Sequence, residues 1–284
     1  MNGPTESPAA AAPERDLIIE AGRESSHYWN DLWHYRDLIG FLALRDIKVR
    51  YKQTVLGVGW ALIQPVVTTI IFTFVFGKLA GMSAGGVPYP LMVLAGLLPW
   101  QFFSAALSGS SVSLISNANL ISKVYFPRLI IPLSSLGLAT IDFLVVLALY
   151  ICSSIWFGRV PSWHWTLLPL FILVALTLAF GAGLWFTAMT VKYRDFKYIV
   201  PFVIQVGVFI SPIGYSTGVV PRWRTLLDLN PMTGVIDAFR WCLLSDGHPF
   251  DIQGIGCSIV ISAILTYSGL RYFRRMERTF ADVI

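Results

Sequence analysis

Charge is what this sequence has least of. Only 13% of its 284 residues are Asp, Glu, Lys or Arg, about half the share of a typical soluble domain. With 55% hydrophobic residues, that scarcity excludes an ordinary soluble fold and implies a polytopic membrane protein. Cysteine is scarce too. Cys152, Cys242 and Cys257 follow no metal or redox spacing, and an odd count argues against a disulfide framework. They read as small apolar residues. The four histidines are scattered, so metal-ligand spacing is absent. No Gly-x-x-x-x-Gly-Lys-Ser/Thr loop occurs, so any ATP-driven step needs another chain. Neither a nucleophile–base pattern nor a carboxylate dyad is present, which argues against an enzyme. No internal repeat is visible, which disfavours an inverted-repeat secondary transporter. A net charge of +5 would suggest nucleic acid in a soluble chain. Here the basic residues sit between apolar stretches, where topology explains them and no nucleic-acid partner is implied.

What is present is a series of membrane-length apolar stretches. Residues 1–26, rich in Ala, Pro, Ser and Glu, hold too few large apolar residues to pack and read as a disordered cytoplasmic start. They lack the basic n-region of a signal peptide. Residues 27–55 form a helix and a basic hinge. Leu32, Tyr35, Leu38, Ile39 and Leu42 share one helical face, opposite His34, Asp37 and Lys48. The helix lies either in the membrane interface or against a partner. Arg45, Lys48, Arg50 and Lys52 then meet an uncharged run without a spacer, as at the cytoplasmic end of a span. Val55 to Gly77 would reach about 34 Å as a helix, enough to cross.

Six spans are expected, at about 56–77, 89–115, 129–157, 167–191, 198–213 and 252–270. The fold class is therefore all-α, with domain boundaries at 1–26, 27–55, 56–270 and a cytoplasmic tail at 271–284. Lys and Arg concentrate in segments that this topology puts inside. Lys78, Arg159, Arg222, Arg224 and Arg240 fall outside. Both termini are thus expected in the cytoplasm. Between spans five and six, residues 225–244 are too short to cross. Thr233 to Leu244 would span about 18 Å, against a ~30 Å core. They read as a re-entrant or surface helix, started by Asn230-Pro231. Asp237 and Arg240, three apart on its polar face, are expected to pair. Asp142 is the only acid deep in a span. It is either held by a neighbouring helix or used for proton coupling, as a carrier or membrane-embedded enzyme would.

The segment from Arg45 through Lys52 and Gln53 to Leu56-Gly57, followed by Trp60-Ala61 and Pro65, resembles the entry motif of polysaccharide-export permeases. These are type-2 ABC exporters of O-antigen, capsule and teichoic acid chains. Lys123-Val124-Tyr125-Phe126-Pro127-Arg128, Val191 to Phe196 and Leu229-Asn230-Pro231-Met232 are similar to further family stretches, in the right order. The resemblance runs from about residue 30 and ends in a tail like Phe273 to Ile284. It implies a homodimer in the bacterial inner membrane, with two copies of a separate ATPase that binds ATP and Mg. The substrate would be a lipid-linked polysaccharide, moved outward. A type-2 exporter of a small amphiphile or drug is the nearest alternative.

The resemblance also implies site roles. Arg45, Lys48, Arg50, Tyr51, Lys52, Leu56 and Gly57 would form the interface-helix hinge, against membrane lipids. Asn117, Leu120, Ile121, Lys123 and Tyr125 would form the loop that docks on the ATPase, or else a plain loop packed on its own spans. Asn230, Pro231, Asp237, Phe239 and Arg240 would belong to an external gate. Trp60, Phe72, Trp100, Phe102 and Phe103 are candidates to line a glycan path, because sugar C–H faces pack on aromatic rings. Lipid contact is the alternative for each.

Overall fold

The structure is a computed structural model that describes residues 26–52, 58–159, 162–219, 223–244, 250–277 and 280. Leu56 and Gly57 of the expected hinge, residues 1–25 and most of the tail beyond Glu277 lie outside them.

The segment expected as one interface helix is two: α1 (Ser26–His34) and α2 (Arg36–Lys52). The first span is α3 (Val58–Phe72), which continues as a π-helical stretch, Thr73–Leu79, before a Gly-rich turn. The second span is α4 (Tyr89–Ser116), followed by the short α5 (Ala118–Ile121). The third and fourth are α6 (Ile130–Trp156) and α7 (Leu168–Lys192), the latter led in by a 3-10 turn at Trp163–Leu167. Then come α8 (Phe196–Ile210), α9 (Arg224–Asp228), α10 (Pro231–Leu244) and α11 (Ile252–Glu277). The last runs about two turns beyond the expected end of its span.

Among the described residues, five helical stretches are long and apolar enough to cross a membrane. The expected fifth span differs. α8 has 15 residues, about 22 Å as a helix and short of a ~30 Å core. Pro212 cannot donate a backbone hydrogen bond, and α8 stops one residue before Ser211. The chain goes on without helix through Ser211, Pro212, Ile213 and Gly214, all buried. Non-helical backbone at membrane depth is tolerated only when protein surrounds it. That role falls to α4 and α10: Tyr89 donates its hydroxyl to the carbonyl of Gly214. Arg240 donates to the carbonyls of Ile213 (2.7 Å) and Tyr215 (2.9 Å).

α4 is the central helix. Its most apolar window is 72% buried, whereas that of the first span is only 17% buried. One core joins α4, α6, α7 and α10 through Phe102, Phe143 and Phe239. A second closes the α5 end of the bundle with Leu42, Leu114, Phe126, Val191 and Phe273. α7 and α11 pack backbone to backbone. A Cβ on Gly181 would lie 2.5 Å from the Thr266 amide nitrogen, so only glycine permits that approach.

Candidate transport cavity and coupling surface

α4 carries a stripe at helical spacing: Gln101, Ser104, Ala105, Ser108, Val112 and Ser116. Small side chains there leave room that α3, α6 and α8 do not fill. The result is a cavity of about 920 Å³ bounded by α2, α3, α4, α6 and α8. Gln64 enters it from α3, Gln101 from α4 and Gln205 from α8. Arg45, Asp46 and Arg50 of α2 and Asp142 of α6 complete its polar lining.

Asp142 has partners from far along the chain. Arg50 approaches one carboxylate oxygen at 3.1 Å. The Tyr51 hydroxyl donates to the other at 2.5 Å. Burial, and then the hydrogen bond to Asp142, push the Tyr51 phenol up to about 12. It therefore stays a donor at ordinary pH. The sequence offers no basic partner for Asp142 within the spans, and the structure supplies one from α2. Between Ala43 and Gly137 the two helices nearly touch, and a Cβ on Gly137 would meet that of Ala43 at 2.8 Å. Of the other hinge residues, Arg45 binds Asp46 (2.7 Å) and the Asn117 side chain (2.7 Å). Lys48 and Lys52 are exposed.

Among the aromatic candidates, Phe102 lines the cavity, edge-on to Phe143 at 5.3 Å. Trp100 is buried against Gly207, whose Cβ would meet the indole at 2.5 Å. Phe72 is buried beside Phe76. Phe103 is half-buried beside Trp100, and Trp60 is exposed. These four lie outside the lining.

The gate candidates come together as a packed wedge. α10 is almost wholly buried among α4, α6, α7 and α11. Arg240 is 1% exposed, and Gly96 makes room for its guanidinium, 3.1 Å from where a Cβ would stand. Its distance to Asp237 is 3.8 Å, longer than its bonds to the two carbonyls. Asp237 instead accepts from the Thr217 hydroxyl at 2.9 Å. Asn230 bonds the Ser211 hydroxyl and accepts the Met232 N–H, shaping the turn into α10 at Pro231. Phe239 sits edge-on to Phe143 in the core.

At the α5 end, Leu120 and Ile121 pack partly against the second core, and Asn117 is held by Arg45. The outward apolar groups are Val124 and Tyr125, the latter 68% exposed beside Lys123. Sequence reasoning missed a cluster behind this loop. The Arg128 amide donates to the Glu277 carboxylate at 3.0 Å, and its guanidinium reaches the Glu277 carbonyl. Tyr28 of α1 shares the carboxylate at 3.4 Å. Arg274 lies over the Tyr28 ring. The three glutamines were missed as well, though a polar amide in an apolar span is itself a signal. Among the described residues, no His, Cys, Asp and Glu cluster could hold a metal ion.

Comparison with known proteins agrees with this arrangement. The family model described as "ABC-2 type transporter" matches residues 37–244. The O-antigen export system permease protein RfbA of Klebsiella pneumoniae is 28% identical over 257 residues, covering 89% of this chain and 97% of the relative. Its namesake from Myxococcus xanthus is 25% identical, covering 89% and 98%. The polysialic acid transport protein KpsM of Escherichia coli is 23% identical, covering 83% and 92%. The family match takes in the cavity helices α3, α4, α6 and α8, the α5 loop and α10, and the chain belongs to the ABC-2 type transporter family.

Proposed function

We propose that this chain is the membrane-spanning subunit that moves a lipid-linked polysaccharide, of O-antigen or capsule type, out of the cytoplasm across the bacterial inner membrane. The observation that carries this reading is the cavity, with its amide and hydroxyl lining, in a chain that matches O-antigen export permeases over 89% of its length. The chain has no phosphate-binding loop, so ATP and Mg belong on a partner ATPase, two copies of which serve a homodimer. The α5 loop, with Val124 and Tyr125 outward, offers that partner an apolar contact. The α5 end and both termini then face the cytoplasm. The cavity is flanked by α3, with its π-helical continuation, and by α8, and Ile70, Phe74, Phe202 and Phe209 of these stretches are exposed. A second copy across these helices would complete a path between the two. Movement of the α5 loop on ATP binding would shift α2 through Asn117 and Arg45 and open that path.

A deletion strain complemented with the wild-type gene tests this. Surface glycan is expected to vanish on deletion and return on complementation. Mild-detergent purification is expected to bring down an ATPase. Intact glycan in the deletion strain, with raised sensitivity to amphiphilic drugs, would overturn the polysaccharide reading in favour of a small-molecule exporter.

A further inference from the structure

The cavity is lined mainly by apolar surface, and its charged groups cancel. Its ionisable groups are Arg45, Asp46, Arg50 and Asp142. Arg45 pairs with Asp46 and Arg50 with Asp142, so the lining is formally neutral. Three of the lining hydroxyls are engaged by their own helices. Ser104 donates to the Gln101 carbonyl, Ser113 to that of Ser110 and Ser135 to that of Pro132. The side-chain amides of Gln64, Gln101 and Gln205 are different. Among the described residues none of them has a protein partner. Counted along their own helices, Gln64 lies six residues into α3 from Val58, Gln205 nine residues into α8 from Phe196 and Gln101 fifteen residues before the end of α4 at Ser116.

Gln64 and Gln205 are exposed and Gln101 is half-buried, so all three amides are open to whatever fills the cavity. Three of them on three helices, facing one space, suit an occupant that both donates and accepts hydrogen bonds. A primary amide offers two donors and one acceptor and carries no charge. A sugar hydroxyl offers the complement. Weak binding repeated at several sites is also what lets a chain keep moving. An anionic chain would find each cation already matched to its own acid.

We propose that Gln64, Gln101 and Gln205 form a hydrogen-bonding track for an uncharged, hydroxyl-rich glycan, and that this cavity disfavours a polyanionic chain. The proposal rests on the polysaccharide reading above. Complementation by wild type tests that reading first. If wild type restores no surface glycan, the reading fails and the variants are not the cause.

The variants follow in the same deletion strain, with the complete transporter. Surface glycan is normalised to the amount of permease in the membrane and to the co-purified ATPase. Gln64→Leu/Gln101→Leu/Gln205→Leu is expected to lower export by about tenfold, in keeping with loss of a few modest hydrogen bonds. The three single Gln→Asn variants keep an amide, and each is expected to stay within about threefold of wild type. Export by the triple Leu variant at the wild-type level per assembled complex would overturn the track. So would single Asn variants as impaired as the triple Leu variant. If the triple Leu variant fails to assemble, Gln101→Leu alone, compared with Gln101→Asn, makes the same comparison, and equal export by the two would overturn the track. Sugar analysis of the wild-type glycan is expected to give a neutral repeat. An acidic sugar or phosphate in every repeat would overturn the selectivity.

Discussion

Asp142 is held by two groups of unequal strength. Arg50 is half exposed, and a pair open to solvent contributes at most about 1 kcal/mol. The Tyr51 hydroxyl bonds a charged acceptor, an interaction of about 1.5–3 kcal/mol. The phenol is therefore the stronger hold on the end of α2. Asp142→Asn keeps an acceptor for Tyr51, whereas Asp142→Leu removes it. Export per permease is expected to fall several-fold more in the Leu variant, read as surface glycan against membrane abundance. Equal losses in both would assign the role to charge and revive proton coupling. The phenol also sets a pH window. Its folded value, about 12, lies above the ordinary tyrosine value of 10.0. Its stabilisation is thus complete below pH 10.0 and is lost as the pH rises through about 12. Melting curves of the purified complex should fall more steeply across that window in wild type than in Tyr51→Phe.

At the scale of elements, the broken passage from α8 to α10 is where tertiary packing decides the structure. Removing Arg240 leaves the carbonyls of Ile213 and Tyr215 unpaired in the interior. Each unsatisfied group costs about 1–3 kcal/mol. Arg240→Met should therefore destabilise the protein by roughly 2–5 kcal/mol, seen as a lower melting temperature in detergent. Asp237→Asn should be milder, because Thr217 can still donate to the amide oxygen and Arg240 keeps its carbonyls. If Asp237→Asn were the more damaging, the charge pair would outweigh the backbone bonds. This region also shows what the sequence could carry. The long apolar runs of α4, α6 and α7 were legible, because length and hydrophobicity suffice for a span. The stop of α8 was legible in Pro212 just beyond it, whereas Pro201 lies inside the helix. Asp237 was legible as a partner of Arg240; the two carbonyls that Arg240 also binds were not, since backbone groups leave no mark on composition. Asp142 was legible as costly, but its Tyr51 partner lies 91 positions away. The small residues Ser104 and Ser108 of α4 are plain in the sequence, yet the empty face they leave emerges only once α3, α6 and α8 are set around it. Aromatic residues drew attention to a glycan path, while most of them went into packing.

For the whole molecule, the proposed function raises the question of how force entering at one end would reach the cavity. Val124 and Tyr125 are outward, and the chain three residues on is clamped. Arg128 bonds both the carboxylate and the carbonyl of Glu277, at the end of α11, and Tyr28 of α1 shares the carboxylate. On the other side of the α5 loop, Asn117 binds Arg45 on α2. The loop is thus tied to α1, α2 and α11 while its tip stays free. A contact at the tip and a clamp at the base should fail in different ways. Val124→Ser/Tyr125→Ala removes exposed apolar surface and is expected to lower the ATPase recovered with the permease by several-fold, with insertion unchanged. Glu277→Ala leaves the tip intact, so ATPase recovery should stay near wild type. What should fall is the glycan exported per ATP hydrolysed, because the loop can then move without carrying α1 and α11. Glu277→Gln keeps an acceptor for the Arg128 amide and should fall between the two. If Glu277→Ala instead loses its ATPase as completely as the tip variant, the clamp only shapes the docking surface and transmits nothing.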